Sequence, residues 1–356
     1  MLEEERPPEY RAVIIGLRGI GAQRPREDDH LPVYGAMPGS HAGAYYHHPR
    51  TEVAAVCDLK EDILEDFKAQ WEDVWPGVRL YTDYREMLSA EKPDLVSVAT
   101  SDHLHAEMVV AAAEGGVRAI FCEKPIATSL EDADRMIAAA EANGTLLSID
   151  HTRRWVPGYL KAREIVRSGE IGALRTVSCD QFSRRAMMFR NGTHLLDLIC
   201  FFAEANPWWV VAELEEGFEH FTGYRGDGGH DPATDPFASA YIRFDNGVRA
   251  FYNSYKVDFS GSQLALTCEG GRIEISDLFA RLIRSSSHFE QRTSTILPGR
   301  YAMERQTAAV AELVRVLEEG GELVSPGREA RKTVEIMLGI LKSHHSGNRR
   351  VEFPLS

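Results

Sequence analysis

Up to about residue 152, short Val/Ile-rich runs alternate with segments of helical periodicity. The runs RAVIIG, TEVAAVCD, VRLYTD, DLVSVAT, RAIFCEKP and TLLSIDH read as strands. Between them KEDILEDFKAQW, YREMLSA, LHAEMVVAAAEGG and SLEDADRMIAAAEANG read as helices, the last opening on Ser129 as N-cap and closing at Gly144. Such alternation marks βαβ units, and six strands so spaced predict a doubly wound parallel α/β domain over residues 1–152. Beyond it, over 153–356, the runs lengthen, alternate in polarity and meet at hairpin turns. Asp245-Asn246-Gly247 divides ASAYIRFDNGVRAFYNSYKV, and Gly270-Gly271 divides SQLALTCEGGRIEISD. These predict an antiparallel sheet, interrupted by one apolar helix, THLLDLICFFA, and followed by two helical stretches near the C-terminus. Residues 22–40, 219–236 and 286–301 read as irregular.

Composition narrows the function. A chain of 356 residues, 44% hydrophobic, can bury two cores. Its start, MLEEERPPEY, is acidic, and no run of about 18 uncharged apolar residues occurs. The expectation is a cytoplasmic protein with no membrane partner. A net charge of −14 argues against nucleic acid, which is held by clustered Lys and Arg. Five cysteines, Cys57, Cys122, Cys179, Cys200 and Cys268, stand singly in apolar segments and read as reduced, buried thiols.

Candidate chemistry lies just after each predicted strand, because parallel α/β sheets bind ligands beyond the carboxyl ends of their strands. After the first strand, Gly16, Arg18, Gly19, Ile20 and Gly21 form a dinucleotide-binding turn with a cation where the middle glycine belongs. Arg18 must point away or contact the phosphates itself, and the second is expected. An insertion from about Ala22 to Ser40 follows, after which SHAGAYYHH resumes the displaced helix. Asp58 closes the second strand, where a carboxylate either accepts from the adenosine ribose hydroxyls or caps the next helix; the first reading favours NAD over NADP. Its distance from Gly16 is twice the usual ~20 residues because of the insertion. TSDHLH contributes Thr100, His103 and His105, and EKP contributes Glu123 and Lys124. Desolvation can lower a lysine's pKa and let it exchange a proton with a substrate hydroxyl. The Lys124-Pro125 bond is a candidate for cis geometry. In the second domain His194 opens the apolar helix, with Asp197 one turn on; it is either packed structurally or an acid/base partner. GYRGDGGHDPATDP gathers Asp227, His230, Asp231 and Asp235, but the spacing fits no zinc or calcium loop, so no metal is expected and the segment reads as a solvated loop.

Taken in order, VIIGLRGIG, VAAVCD, VSVATSDHLHAEMVVAAAEGG, AIFCEKPIATSLEDADRMI, HTRRWVPGYLKAREIVRSGEIGALRTV and GTHLLDLICFF resemble the glucose-fructose oxidoreductase, inositol dehydrogenase and MocA family (Gfo/Idh/MocA) over nearly the whole chain. The resemblance implies a Rossmann domain followed by an α+β domain with a large, open, mainly antiparallel sheet that lines the substrate site. It also implies a homodimer or homotetramer through that sheet. It assigns the EKP lysine to Lys124, the histidine acid/base to His194 and a substrate contact to Arg154. The chain departs from the pattern before His194, where an aspartate is expected and Arg190 stands, followed by Asn191. A cation there favours a neutral imidazole acting as base, or a substrate carrying an acid group such as a uronate. The function so implied is NAD-dependent hydride transfer at a hydroxyl or keto carbon of a sugar, sugar acid, cyclitol or glycoside. Its rivals on the same fold are an NAD-retaining glycoside hydrolase or lyase and a non-catalytic sensor of sugar or dinucleotide.

Overall fold

Six strands, β1 (Tyr10–Ile15), β2 (Thr51–Cys57), β3 (Arg79–Tyr81), β4 (Leu95–Val98), β5 (Ala119–Cys122) and β6 (Leu146–Ile149), pair in parallel in the order 3-2-1-4-5-6. This is the doubly wound order, with its reversal between β1 and β4. The computed structural model describes residues 9–24, 39–226, 229–276, 279–285, 287, 290–297, 303 and 305–355. Strands β4 and β5 are buried at every position, as a sheet covered on both faces requires. One face packs against α1 (His41–His47), α2 (Glu61–Trp71) and α8 (Arg305–Glu319); α3 (Tyr84–Glu91), α4 (His105–Glu114) and α5 (Leu130–Ala142) complete the unit. Ser129 caps α5 by accepting from the Asp132 amide.

The unit is not contiguous. It takes in the chain up to Trp155 and returns for the segment ending at Gly327, so the boundary expected at 152 places α8 in the wrong half. The physical reason is burial: Ala309, Val310, Leu313 and Val314 join one core with Tyr10, Tyr45 and Trp155. Periodicity announces a helix but not the core it belongs to.

The second unit runs from Val156 and resumes at Arg328. Among the described residues its nine strands are β7 (Leu174–Phe182), β8 (Pro207–Leu214), β9 (Ala238–Phe244), β10 (Arg249–Tyr255), β11 (Gly261–Cys268), β12 (Gly271–Ser276), β13 (Ala280–Ser285), β14 (Gln291–Thr295) and β15 (Val351–Glu352). They form one sheet in the order 14-13-12-11-7-10-9-8-15, antiparallel throughout except where β7 meets β10. Both expected hairpins are present. Strand β14 falls in a stretch read as irregular; its five residues are polar and exposed, so no hydrophobic alternation marks it. Helices α6 (Pro157–Arg167), α7 (Thr193–Ala203) and α9 (Gly327–His345) complete the architecture. All five cysteines are buried and unbridged. Among the described residues no helix is long and apolar enough to cross a membrane.

Candidate active site

Strand β1 ends in a turn that only glycine can make. Gly16 has φ +89°, and a Cβ there would lie 2.5 Å from the Ala99 carbonyl oxygen at the end of β4. A Cβ on Gly21 would lie 2.1 Å from the Gly16 carbonyl oxygen. The turn therefore packs directly across the switch point, and its outer side is open: nothing lies within 4 Å of a Cβ built on Gly19. Ile20 is half-buried in the short 3-10 turn Gly19–Gly21, and Arg18 stands exposed at its start.

The insertion is tied off at its neck. Ser40 donates to the Gln23 carbonyl at 2.6 Å and accepts from the Gly43 amide at 3.0 Å, so α1 restarts as though the chain between were missing. The buried Trp71 indole donates to the Ala22 carbonyl at 2.9 Å and fixes the other side. Residues 25–38, the body of the insertion, lie outside the described residues.

Asp58 performs the capping role and leaves room for the other. Its Oδ1 accepts from the Lys60 amide at the entry to α2, and its Oδ2 accepts from the Leu17 amide in the glycine turn, both at 3.2 Å. The carboxylate clamps the ends of β1 and β2 together. Two oxygens offer about four lone-pair sites, so acceptor capacity remains for ribose hydroxyls on its half-exposed side.

At the end of β4, Thr100 is half-buried and His103 exposed, whereas His105 is wholly buried. The His105 ring spans the Pro125 carbonyl (3.0 Å from Nδ1) and the Thr100 carbonyl (3.3 Å from Nε2), locking two strand-end loops together. Beyond β5 the Lys124-Pro125 peptide is cis, Lys124 is half-buried, and Glu123 is 8% exposed. Glu123 accepts from its neighbour's amide at 3.3 Å and lies 3.2 Å from His41 Nε2. Burial opposes its ionisation, but the His41 hydrogen bond and the Lys124 charge outweigh burial and hold its pKa at about 2. Asp150, past β6, shifts the other way: burial and the neighbouring Glu123 charge push its carboxyl well above the usual range. The ligand atoms of His41, Glu123 and Asp150 lie within 4.8 Å of one another, and all three residues are buried. Arg154 is 1% exposed and donates to the Val324 carbonyl at 2.7 Å, joining the two chain segments of the first unit.

In the second unit a π-helical turn, Met188–Gly192, leads into α7 and sets the direction of the half-buried His194. Gly192 is required because the Tyr252 hydroxyl would sit 2.1 Å from its Cβ. Asn191 donates to the Arg185 carbonyl at 2.6 Å, and Asp197 is fully buried. Asp235 corrects the reading of its segment as a solvated loop. It is completely buried and accepts from the Phe189 amide (3.2 and 3.1 Å) and the Arg190 amide (2.9 Å), so it holds the turn before His194. Its neighbours fit the original reading better: Asp231 caps an exposed 3-10 turn, His230 meets Arg185 at 2.7 Å, and Asp227 lies outside the described residues. Asp235 escaped sequence reasoning because three other polar residues surround it. His41 and Asp150 escaped it too, although a carboxylate directly after the buried end of β6 was a signal.

Residues 33–151 match the model of an oxidoreductase family with an NAD-binding Rossmann fold, and 159–274 match the GFO/IDH/MocA C-terminal domain, well over half of the chain. The chain belongs to the Gfo/Idh/MocA oxidoreductase family. The Gfo/Idh/MocA match begins beyond the glycine turn, so the turn's fitness for a dinucleotide rests on its own geometry. A D-apiose dehydrogenase of Paraburkholderia graminis is 33% identical over 183 residues, 47% of each chain. An inositol 2-dehydrogenase of Salmonella typhimurium is 32% identical over 126 residues, 34% of this chain and 35% of that one. The matched stretches span under half the length of these curated relatives. The WlbA dehydrogenase of Bordetella pertussis, solved with NADH and UDP-GlcNAcA, shares the Gfo/Idh/MocA fold with a TM-score of 0.72 over 98% of this chain and 100% of that one, at 18% identity.

Proposed function

We propose that this chain is an NAD-dependent dehydrogenase acting on a carbinol carbon of a sugar, sugar acid or cyclitol. The observation that carries the reading is one unit holding three things together: a glycine turn packed across the switch point, a carboxylate with spare acceptor sites at the end of β2, and a half-buried lysine at the end of β5. In this reading Gly16, Gly19, Ile20 and Gly21 give a dinucleotide backbone contact, Arg18 meets its phosphates, and Asp58 takes the ribose hydroxyls. Asp58 opposes a 2'-phosphate, so NAD is preferred to NADP. When bound, the nicotinamide supplies the hydride acceptor.

Lys124 takes the hydroxyl proton, and Glu123 keeps it oriented. Thr100 and His103 line the same strand ends, while His105 serves the cofactor by fixing the loops. His194 is the acid/base group of the second unit, with Arg190 and Asn191 as its substrate contacts; Arg154 supports the site from within the core. The reaction belongs to the cytoplasm in this reading, and its small-molecule partner is a carbohydrate. The outer face of the second sheet carries Trp208, Phe251 and Tyr255 at 43–51% exposure, and we assign it to contact with further copies of the chain in a dimer or tetramer.

The test is to release and identify any nucleotide retained on purification, then screen sugars, uronates, inositols and glycosides for NADH formation. Activity that Lys124→Met abolishes without loss of NAD affinity supports the reading. Absence of both retained nucleotide and NAD affinity refutes it. Nucleotide retained without net NADH assigns the protein to transient-oxidation hydrolysis or elimination instead.

A further inference from the structure

Ser97, Phe121 and Ser148 are register neighbours on β4, β5 and β6 and therefore share one face of the parallel sheet. Glu123 and Asp150 each lie two residues further on, and their amides continue the ladder by donating to the Val98 and Cys122 carbonyls at 2.8 Å. Both carboxylates consequently project to the same side. There α1 brings His41 and Tyr45, and α8 brings Gln306. The hydrogen bonds form a single chain: Tyr45 Oη to Ser97 Oγ at 2.9 Å, Ser97 Oγ to His41 Nδ1 at 2.8 Å, and His41 Nε2 to Glu123 Oε1 at 3.2 Å. Gln306 Nε2 donates to Asp150 Oδ2 at 3.0 Å, and His41 Nε2 lies 3.9 Å from that same oxygen.

A pair of carboxylates buried this closely cannot both ionise at neutral pH without a compensating cation for each. We propose that Glu123 and Asp150 share one proton, resident on Asp150, and that with His41 they form a positioning device that fixes Lys124. The inference rests on Lys124 being the proton-exchanging group. Asp150, its Oδ2 held by Gln306 and its Oδ1 without another partner among the described residues, carries the proton as a neutral acid, while the ionised Glu123 is met by the His41 hydrogen bond and the Lys124 charge. The titratable groups facing the pair are His41 on α1 and Cys122 and Lys124 at the end of β5; Tyr45 reaches it through Ser97, and the Asp102 charge acts on Cys122. From α8 only the neutral Gln306 reaches it. The same trio has the donor set of a divalent-cation site, but a Gln306 N–H points into it and the Lys124 charge acts on both carboxylates, which suits a proton and opposes a dication.

The test is infrared spectroscopy of the whole protein with Asp150→Asn, Asp150→Ala and Glu123→Gln, alongside NAD titration across pH. Wild-type protein at pH 7 should show a buried carboxylic-acid carbonyl band that D150N removes and E123Q shifts. Wild type should bind NAD more weakly at alkaline pH; D150N, which matches the protonated acid in shape and donor, should keep NAD affinity within about twofold at pH 7 and lack that alkaline weakening, whereas D150A should weaken binding about tenfold. Absence of the band, equal damage from D150N and D150A, or a stoichiometric divalent metal in the purified protein overturns the proposal. A wild-type protein that shows the band but binds no NAD refutes the dehydrogenase reading and leaves the shared proton standing.

Discussion

Asp58 offers the sharpest separation of a structural from a functional carboxylate. In Asp58→Ala the Leu17 and Lys60 amides lose their acceptor. The two losses differ. Leu17 is 5% exposed, so its N–H stays dry and costs about 1–3 kcal/mol; Lys60 is exposed, water replaces the bond, and the loss is about 0.5 kcal/mol. The expected destabilisation of about 1.5–3.5 kcal/mol corresponds to a fall in Tm of about 3–14 °C for a unit of this size. Asp58→Asn keeps one acceptor oxygen and should lose about half as much. If the carboxylate also takes ribose hydroxyls, two charge-assisted hydrogen bonds of about 1.5–3 kcal/mol each disappear from the complex, and NAD should bind at least about 100-fold more weakly. NADP, relieved of repulsion, should weaken far less or improve. Calorimetric titration with both dinucleotides, beside thermal unfolding of each variant, separates the effects. A Tm that falls as expected while both affinities stay within twofold of wild type would refute the ribose role and leave Asp58 as a clamp between β1 and β2.

Three further outcomes follow from particular contacts. The raised pKa of Asp150 means that the folded state binds a proton the unfolded chain releases above about pH 4, so this group's contribution falls by about 1.4 kcal/mol per pH unit from there to its folded pKa. Glu123, lowered to about 2, works oppositely and loses its contribution only as pH drops from about 4 toward 2. Chemical denaturation of wild type and D150N between pH 5 and 9 should therefore show the variant gaining on wild type as pH rises; parallel curves would contradict the shift. Asp235→Ala should cost about 3 kcal/mol by stranding the Phe189 and Arg190 amides, and Asp235→Asn about 1, read as Tm. Unchanged stability in D235A would mean that the π turn holds without its buried acceptor. Arg18→Gly should weaken NAD binding several-fold and make the remaining affinity less dependent on salt, since an exposed phosphate contact is screened; unchanged affinity would turn Arg18 away from the phosphates.

The architecture was legible wherever periodicity and burial coincide. Strands β1 to β6, the Ser129 cap and both glycine hairpins announce themselves because each relies on neighbours in sequence. The candidate site was legible at strand ends: Gly16, Asp58 and Lys124 are named by their place after an apolar run, which the fold gives them. Contacts between segments distant in sequence were not. Nothing near Arg154 reveals that its partner is the Val324 carbonyl, and a histidine inside SHAGAYYHH carries no sign that it faces Glu123. Asp235 looked like one loop carboxylate among several until the fold carried it beneath a turn some 45 residues earlier in the chain. Strand β14 lay hidden because an exposed edge strand needs no apolar side chains, only a partner's backbone.

The return of α8 has a consequence for how the molecule comes into being. Val310, Leu313 and Val314 complete a core begun by Tyr10 and Tyr45, and four polar links reach across the same gap in sequence: Gln306 to Asp150, Glu312 to Trp155, Val324 to Arg154 and Ser325 to Ile149. During synthesis the dinucleotide unit therefore waits, with its sheet made but one helix absent, until nearly the whole chain has emerged. Cutting the gene after the sixth strand would yield an unfinished half rather than a portable cofactor domain. A frameshift near residue 300 would injure the first unit as surely as the last.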